Sequence, residues 1–152
     1  MRIAIIGAGA AGLMCAATIL ENSPDAEVLL IERNNGLGKK VIISGGGRCN
    51  VTTGFREIPH VLKNYPRGSK FLISAMHAFP PESVYTWFES HGVPLKIQED
   101  NRVFPVSDDG HDIVGVFERL FETAQVKILL NTHVVQVEKT NDTFLIRTKG
   151  SD

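Results

Sequence analysis

Arg2–Glu32, reading RIAIIGAGAAGLMCAATILENSPDAEVLLIE, decides the fold. Ile3 to Ile6 form a short apolar run suited to a parallel strand covered on both faces. Gly7, Gly9 and Gly12 follow in GxGxxG spacing. In a strand–turn–helix the three meet different steric demands. The first permits the tight turn, the second lets a pyrophosphate approach the backbone, and the third lets the helix close on the strand. Ala10 to Leu20 are strong helix formers and almost wholly apolar, so a buried helix is expected, its free N-terminal N–H groups and dipole attracting an anion. Asn22 to Asp25 end it. Glu27 to Ile31 supply a second apolar strand. Glu32 closes that strand, where a carboxylate accepts hydrogen bonds from the hydroxyls of a ribose without a 2′-phosphate. A purely structural glycine turn is the plain alternative, but strand, helix, second strand and terminal acid agree on dinucleotide binding. The spacing alone does not separate FAD from NAD.

The chain has 152 residues, 43% of them hydrophobic, and a formal net charge of −1. This suits one domain with its own core and has none of the bias of disordered chains. Basic residues are scattered, so no nucleic-acid or polybasic membrane surface is expected. No apolar run approaches bilayer-spanning length, and a first strand at Arg2 leaves no room for a signal peptide; a cytoplasmic protein is expected. Cys15 and Cys49 lie far apart without metal-like spacing, so neither a disulfide framework nor a metal site is expected.

The second informative stretch runs from Arg33 through Lys39-Lys40, the apolar triplet Val41-Ile-Ile43, and Ser44-Gly-Gly-Gly-Arg-Cys-Asn50. Three glycines followed by Arg48 and Asn50 suit a loop whose N–H groups and guanidinium meet a phosphate or a flat polar ring. The alternative is a flexible loop, against which stands the strand-like triplet immediately before the glycines.

GAGAAGLMCA, ERNNGLGKK and SGGGRCNVTT, in this order, resemble the aminoacetone oxidase-like (YhiN-like) family of bacterial FAD-dependent oxidoreductases. The resemblance continues through HAFPPESVYTWFESHGVPLK and RVFPVS and covers essentially the whole chain; Thr53 stands where the family usually has Asn. It implies that Gly7, Gly9 and Gly12 bind the FAD pyrophosphate and Glu32 the adenosine ribose, with Ala10, Ala11 and Arg33 also among the cofactor-binding residues. Ser44, Gly45, Gly46, Gly47, Arg48, Cys49 and Asn50 would lie along the pyrophosphate towards the flavin. Lys40, like Lys39, either neutralises a phosphate or is a solvated charge. Cys49 is either a redox thiol or a packing residue. Val134 either meets the adenine through its backbone or is a core valine. Family members are longer, continuing with a strand beside Arg2–Ile6, a substrate-facing domain and a final flavin-binding segment. An incomplete C-terminal side with an open edge on the first strand is therefore expected.

The remaining elements are read from their patterns. Pro59 and Pro66 limit any helix between them to about two turns. Ser69 is expected to cap an apolar helix, Pro81 to open another with Val84, Trp87 and Phe88 on one face, and Gly92 to end it. His77 and His91 are expected to decorate these helices, with Trp87 a possible stacking partner for a ligand. Pro94–Glu99 and Arg102–Phe104 suit a hairpin turning at Asp100-Asn101. Ser107 to Asp109 precede a helix with its stripe on Ile113, Phe117, Leu120, Phe121 and Ala124, which returns the chain to a parallel strand at Val126–Leu130. Val134–Glu138 and Phe144–Thr148 suit a hairpin around Thr140 to Asp142.

The expected fold class is thus α/β: a Rossmann-type FAD/NAD(P)-binding fold with a parallel sheet, a helical insertion at about 55–105 and a β-meander, forming one domain over 1–152. The expected function is the FAD-binding part of a flavin-dependent oxidoreductase acting on a small molecule, NAD(P)H being a candidate electron donor and no catalytic acid or base being assigned. The alternatives are a nucleotide-binding module without chemistry of its own and an inactive fragment.

Overall fold

The computed structural model describes residues 1–124 and 126–150. In chain order the elements are β1 (Arg2–Ile6), α1 (Ala10–Asn22), β2 (Glu27–Ile31), α2 (Lys39–Ile43), a 3-10 turn (Ser44–Gly47), β3 (Thr52–Thr53), α3 (Ile58–Lys63), α4 (Ser69–Ala78), α5 (Pro81–Ser90), β4 (Leu95–Ile97), β5 (Arg102–Pro105), α6 (Gly110–Thr123), β6 (Val126–Leu129), β7 (Val134–Thr140) and β8 (Thr143–Thr148). They fall into two compact units, Met1–Lys40 with the chain from Phe117 onward, and Val41–Val116.

The first unit is built on a parallel sheet in the order β1-β2-β6. Ile3 sits opposite Val28, and Val28 opposite Val126. α1 turns Leu13, Ala16 and Ala17 inward, each fully buried. Burying Leu13 or Leu30 contributes about 1.5–3 kcal/mol. The opposite side of α1, with Ala11, Cys15 and Thr18, is exposed, and the helix extends to Asn22. The all-round burial expected from its composition is therefore corrected: small side chains raise apolarity without requiring cover, and one helix face suffices to pack a sheet. β1 is an end strand of its sheet, and its Ile6 is 52% exposed. β7 and β8 form a separate antiparallel ribbon with a register shift between Val134 and Gln136, and leave Val135, Val137, Phe144 and Leu145 exposed.

The second unit centres on an antiparallel sheet, β3-β5-β4. The expected hairpin is present, with Asn101 at φ 63°, a left-handed turn conformation that asparagine tolerates. Two-residue β3, too short to carry a pattern, adds to the other side of β5. Val103 and Phe104 in β5 are fully buried. The Val41–Ile43 triplet is helical rather than strand-like, since it belongs to α2 and Ile43 is 71% exposed. A short β-branched run cannot be told from a helical turn by periodicity. Ser69 is the first residue of α4 and not its cap; Gly68 at φ 80° takes that place without a side-chain bond. Pro81 opens α5 and Gly92, at φ 83°, follows its end, as expected. At the start of α6 the Asp109 carboxylate accepts the His111 N–H at 2.8 Å. The stripe of α6 is buried at Ile113, Phe117 and Phe121, with Val114 and Val116 added to it.

Candidate functional site

The candidate residues fall into two sets, one in each unit. In the first unit, the turn between β1 and α1 is held from three sides. The Gly7 N–H donates to the Ile31 carbonyl (2.7 Å), the Gly38 N–H donates to the Ala8 carbonyl (2.8 Å), and the Ala8 N–H donates to Glu32 Oε2 (2.7 Å). The three glycines differ in why they must be glycine. Gly7 has φ 98°, where side chains are strained. A Cβ on Gly12 would collide with the Gly7 carbonyl oxygen. Gly9 is extended, at φ −81°, and a Cβ there would meet nothing within 4 Å. Neither backbone conformation nor internal packing requires glycine at this position, so the absent side chain leaves space outside the protein surface.

Gly9 is also the N-cap of α1, with no side-chain cap bond and no acidic residue in the first turn. The opening N–H groups, at exposed Ala10 and Ala11, keep the partial positive charge of a helix start. Glu32, 7% exposed, is more engaged than the sequence indicates. Besides Ala8 it accepts the Asn34 N–H (2.8 Å) and the Asn34 Nδ2 (2.6 Å), both on Oε1. Burial pushes its carboxyl up, but the bonds from Ala8 and Asn34 and the charge of Arg33 outweigh this and hold it below its ordinary value. A carboxylate has about four acceptor sites, so Oε2 keeps room for a further donor. Arg33 and Lys40 are exposed. Val134 is half-buried at the start of β7; two residues earlier the Thr132 N–H donates to the Glu32 carbonyl at 2.9 Å.

In the second unit Gly45, Gly46 and Gly47 have φ of 57°, 73° and 89°, and Cys49 has 60°. A Cβ on Gly45 would lie 2.8 Å from Phe104 and 2.9 Å from the Asn50 nitrogen, whereas Gly46 and Gly47 face open space. Arg48 stacks its guanidinium 4.0 Å from the Phe104 ring centre, donates from Nε to the Gly45 carbonyl (3.3 Å) and pairs with Asp108 at 3.8 Å. The Ser44 carbonyl accepts the Cys49 N–H at 2.9 Å. Cys49 is buried, and burial pushes its thiol up, partly offset by the hydrogen bond with Ser44. Asn50 accepts the Val103 N–H on Oδ1 at 3.1 Å.

Sequence reasoning did not pick out Ala8, Asn34, Phe104 or Asp108. Asn34 had a local signal, a side chain two residues after the acid. Phe104 and Asp108 reach Arg48 only through the fold. Among the described residues no cluster of three His, Cys, Asp or Glu side chains could hold a metal, and no helix is long and apolar enough to cross a membrane.

A parallel sheet, a glycine turn opening a helix, and an acid ending the second strand define a Rossmann-type dinucleotide-binding protein. Residues 1–152 match the HI0933-like protein Rossmann domain, and the chain belongs to that family, whose members are FAD-dependent oxidoreductases. It is 28% identical over 149 residues to the 3-dehydro-bile acid delta(4,6)-reductase of Clostridium scindens, covering 98% of this chain and 36% of that protein. It is 32% identical over 146 residues to the ribosomal RNA dihydrouridine synthase of Escherichia coli, covering 96% and 35% respectively. The chain thus spans about a third of the length of these relatives. Among solved structures it is similar to the open conformation of a flavocytochrome c3 fumarate reductase, with a TM-score of 0.65 and 22% identity over 93% of this chain and 28% of that one. It is also similar to FrdA of E. coli quinol fumarate reductase, with a TM-score of 0.66 and 16% identity over the same shares. These likenesses establish the fold.

Proposed function

We propose that this chain holds the adenosine and pyrophosphate half of FAD for a cytoplasmic oxidoreductase that reduces a small organic molecule, with NAD(P)H as the electron donor. The observation that carries the cofactor role is Gly9, a glycine that nothing inside the protein requires, set at the uncapped start of α1. That combination fits a pyrophosphate: the open position admits it, and the first-turn N–H groups of Ala10, Ala11 and Gly12 supply donors and a favourable dipole. The remaining acceptor site on Glu32 Oε2 suits a ribose hydroxyl, and the depressed carboxyl keeps that acceptor ionised at neutral pH. Bound FAD supplies hydride or single-electron transfer; the protein supplies binding and orientation. The loop from Ser44 to Asn50, with Arg48 oriented by Phe104 and Asp108, is assigned to the same cofactor.

The direction, reduction, is taken from the relatives, one of which is a reductase by name and the other a synthase of a dihydro product. A second reading, an RNA substrate, is favoured by the dihydrouridine synthase relative. A net charge of −1 and basic residues scattered along the sequence give no sign of an RNA-binding face, which favours the small-molecule reading. The test is titration of the purified protein with FAD and with NAD, followed by flavin absorbance and fluorescence. Saturable one-to-one FAD binding that is lost in Gly9→Val is expected; equal affinity for NAD, or no loss on substitution, would sink the FAD reading.

A further inference from the structure

We propose that a cavity of about 330 Å³ within the Val41–Val116 unit binds a flat, uncharged, mainly apolar small molecule carrying a hydrogen-bond acceptor, and that Asn50 reads that acceptor. The volume lies at the lower end of the range of small-molecule sites, about 300–1,000 Å³. Val61 of α3, Met76 and Phe79 around the end of α4, and Val84 of α5 supply apolar walls. No Lys, Arg, Asp or Glu lines it, so a phosphate or carboxylate would enter without a countercharge. This separates the cavity from the anion site at the start of α1.

The polar groups narrow the ligand further. Thr52 donates its hydroxyl to the Pro81 carbonyl (3.4 Å), and Thr53 donates its own to the Asn101 carbonyl (3.2 Å). Asn50 uses Oδ1 on the Val103 N–H (3.1 Å), which fixes the carboxamide on β5, while its Nδ2 makes no hydrogen bond among the described residues. An amide donor held by its own oxygen is a reader for a carbonyl. A ring ketone or lactone accepts from Nδ2 and covers the apolar walls, and the hydroxyl of Tyr65, which also lines the cavity, adds a second polar contact. Met76 supplies an unbranched, adaptable wall that tolerates more than one ring shape. Describing this ligand as the substrate rests on the FAD reading, since Asn50 ends the loop assigned to the cofactor; the binding itself does not.

The probe is coumarin, a flat neutral lactone, titrated into the protein with and without saturating FAD and followed by ligand-observed saturation-transfer NMR. Coumarin is expected to bind in both forms, and naphthalene, of similar size without the carbonyl, about three- to tenfold more weakly. Met76→Trp and Val84→Trp, which fill the cavity, are expected to raise the coumarin Kd by about tenfold or more. Met76→Leu is expected to stay near the parent value, and all three to keep parent FAD affinity. Should a Trp variant melt well below the parent, the smaller Val84→Phe takes its place. Coumarin bound at parent affinity by the filled variants, or displaced one-for-one by FAD, would overturn the proposal; the second result would give the cavity to the flavin ring. Coumarin binding that obeys these expectations in a protein with no FAD affinity would support the cavity while removing the cofactor reading, so the two failures are distinguishable.

Discussion

The two glycine clusters use the same residue for opposite reasons. At the β1–α1 turn only Gly7 has a left-handed backbone; Gly12 is required by closeness to the Gly7 carbonyl, and Gly9 by nothing internal. In the 44–50 loop all three glycines are left-handed, and Gly45 is also pressed against Phe104 and Asn50. The first cluster is mostly about proximity and the second about chain direction. A glycine-rich motif is therefore not one signal. Substitution at each position separates the demands of the fold from those of a ligand.

The largest effect is expected at Gly12→Val, where the side chain collides with backbone that cannot yield cheaply. A destabilisation on the order of 3 kcal/mol, seen as a lower Tm together with loss of FAD, is expected; parent melting behaviour would show that the turn is looser than described. Gly9→Val is its counterpart. FAD affinity should fall by ~100-fold, about 2.7 kcal/mol, while far-ultraviolet circular dichroism and Tm stay near the parent. A large fall in Tm would mean that Gly9 serves the fold after all and erase the contrast with Gly12.

Glu32 links fold and ligand within one side chain. Glu32→Ala removes three internal hydrogen bonds to a carboxylate, so it should lower stability as well as FAD affinity, by about 1.5–3 kcal/mol in all where water replaces most of the lost partners. Because the folded carboxyl lies below its ordinary 4.5, its stabilisation is complete above that value and is lost as pH falls through the folded value. Chemical denaturation of parent and Glu32→Gln at neutral pH and in that acidic window should show the difference between them shrinking on acidification. A constant difference would show that the carboxylate is not the source.

In the other cluster the expected costs are smaller and graded. Gly46→Ala should cost about 1 kcal/mol for its left-handed backbone, and Gly45→Ala more, because the added carbon also meets Phe104; equal melting of the two variants would remove the packing component. The smallest contrast is chemical. Cys15 is exposed, and Cys49 is buried with its thiol pushed up, so iodoacetamide followed by peptide mass spectrometry should label Cys15 first. Equal rates would mean that the 44–50 loop opens readily.

The first thirty-two residues were legible because each decision there is local: a glycine beside a helix start, an acid at a strand end. Even so, the three internal bonds of Glu32 were not, since Ala8 offers only a backbone N–H that no residue type announces. Val41–Ile43 illustrate the limit of composition, for three β-branched residues form a helix when the backbone around them turns that way. The orientation of Arg48 depends on Phe104 and Asp108, more than fifty residues away, and β3 depends wholly on the presence of β5. Such pairings are products of tertiary packing, which neither spacing nor propensity encodes.

The register of the parallel sheet also has a consequence for synthesis. Val28 lies opposite Val126, and the entire 41–116 unit is encoded between them. At ribosomal rates of about 5–20 residues per second, β6 leaves the ribosome on the order of ten seconds after β2. Until then the nascent β1-α1-β2 unit has one flank of β2 bare, while the intervening unit already has its whole sequence available. The order of emergence thus has the interrupting unit complete before the sheet it interrupts, and during that interval the free edge of β2 joins that of β1 as a surface a chaperone would have to shield.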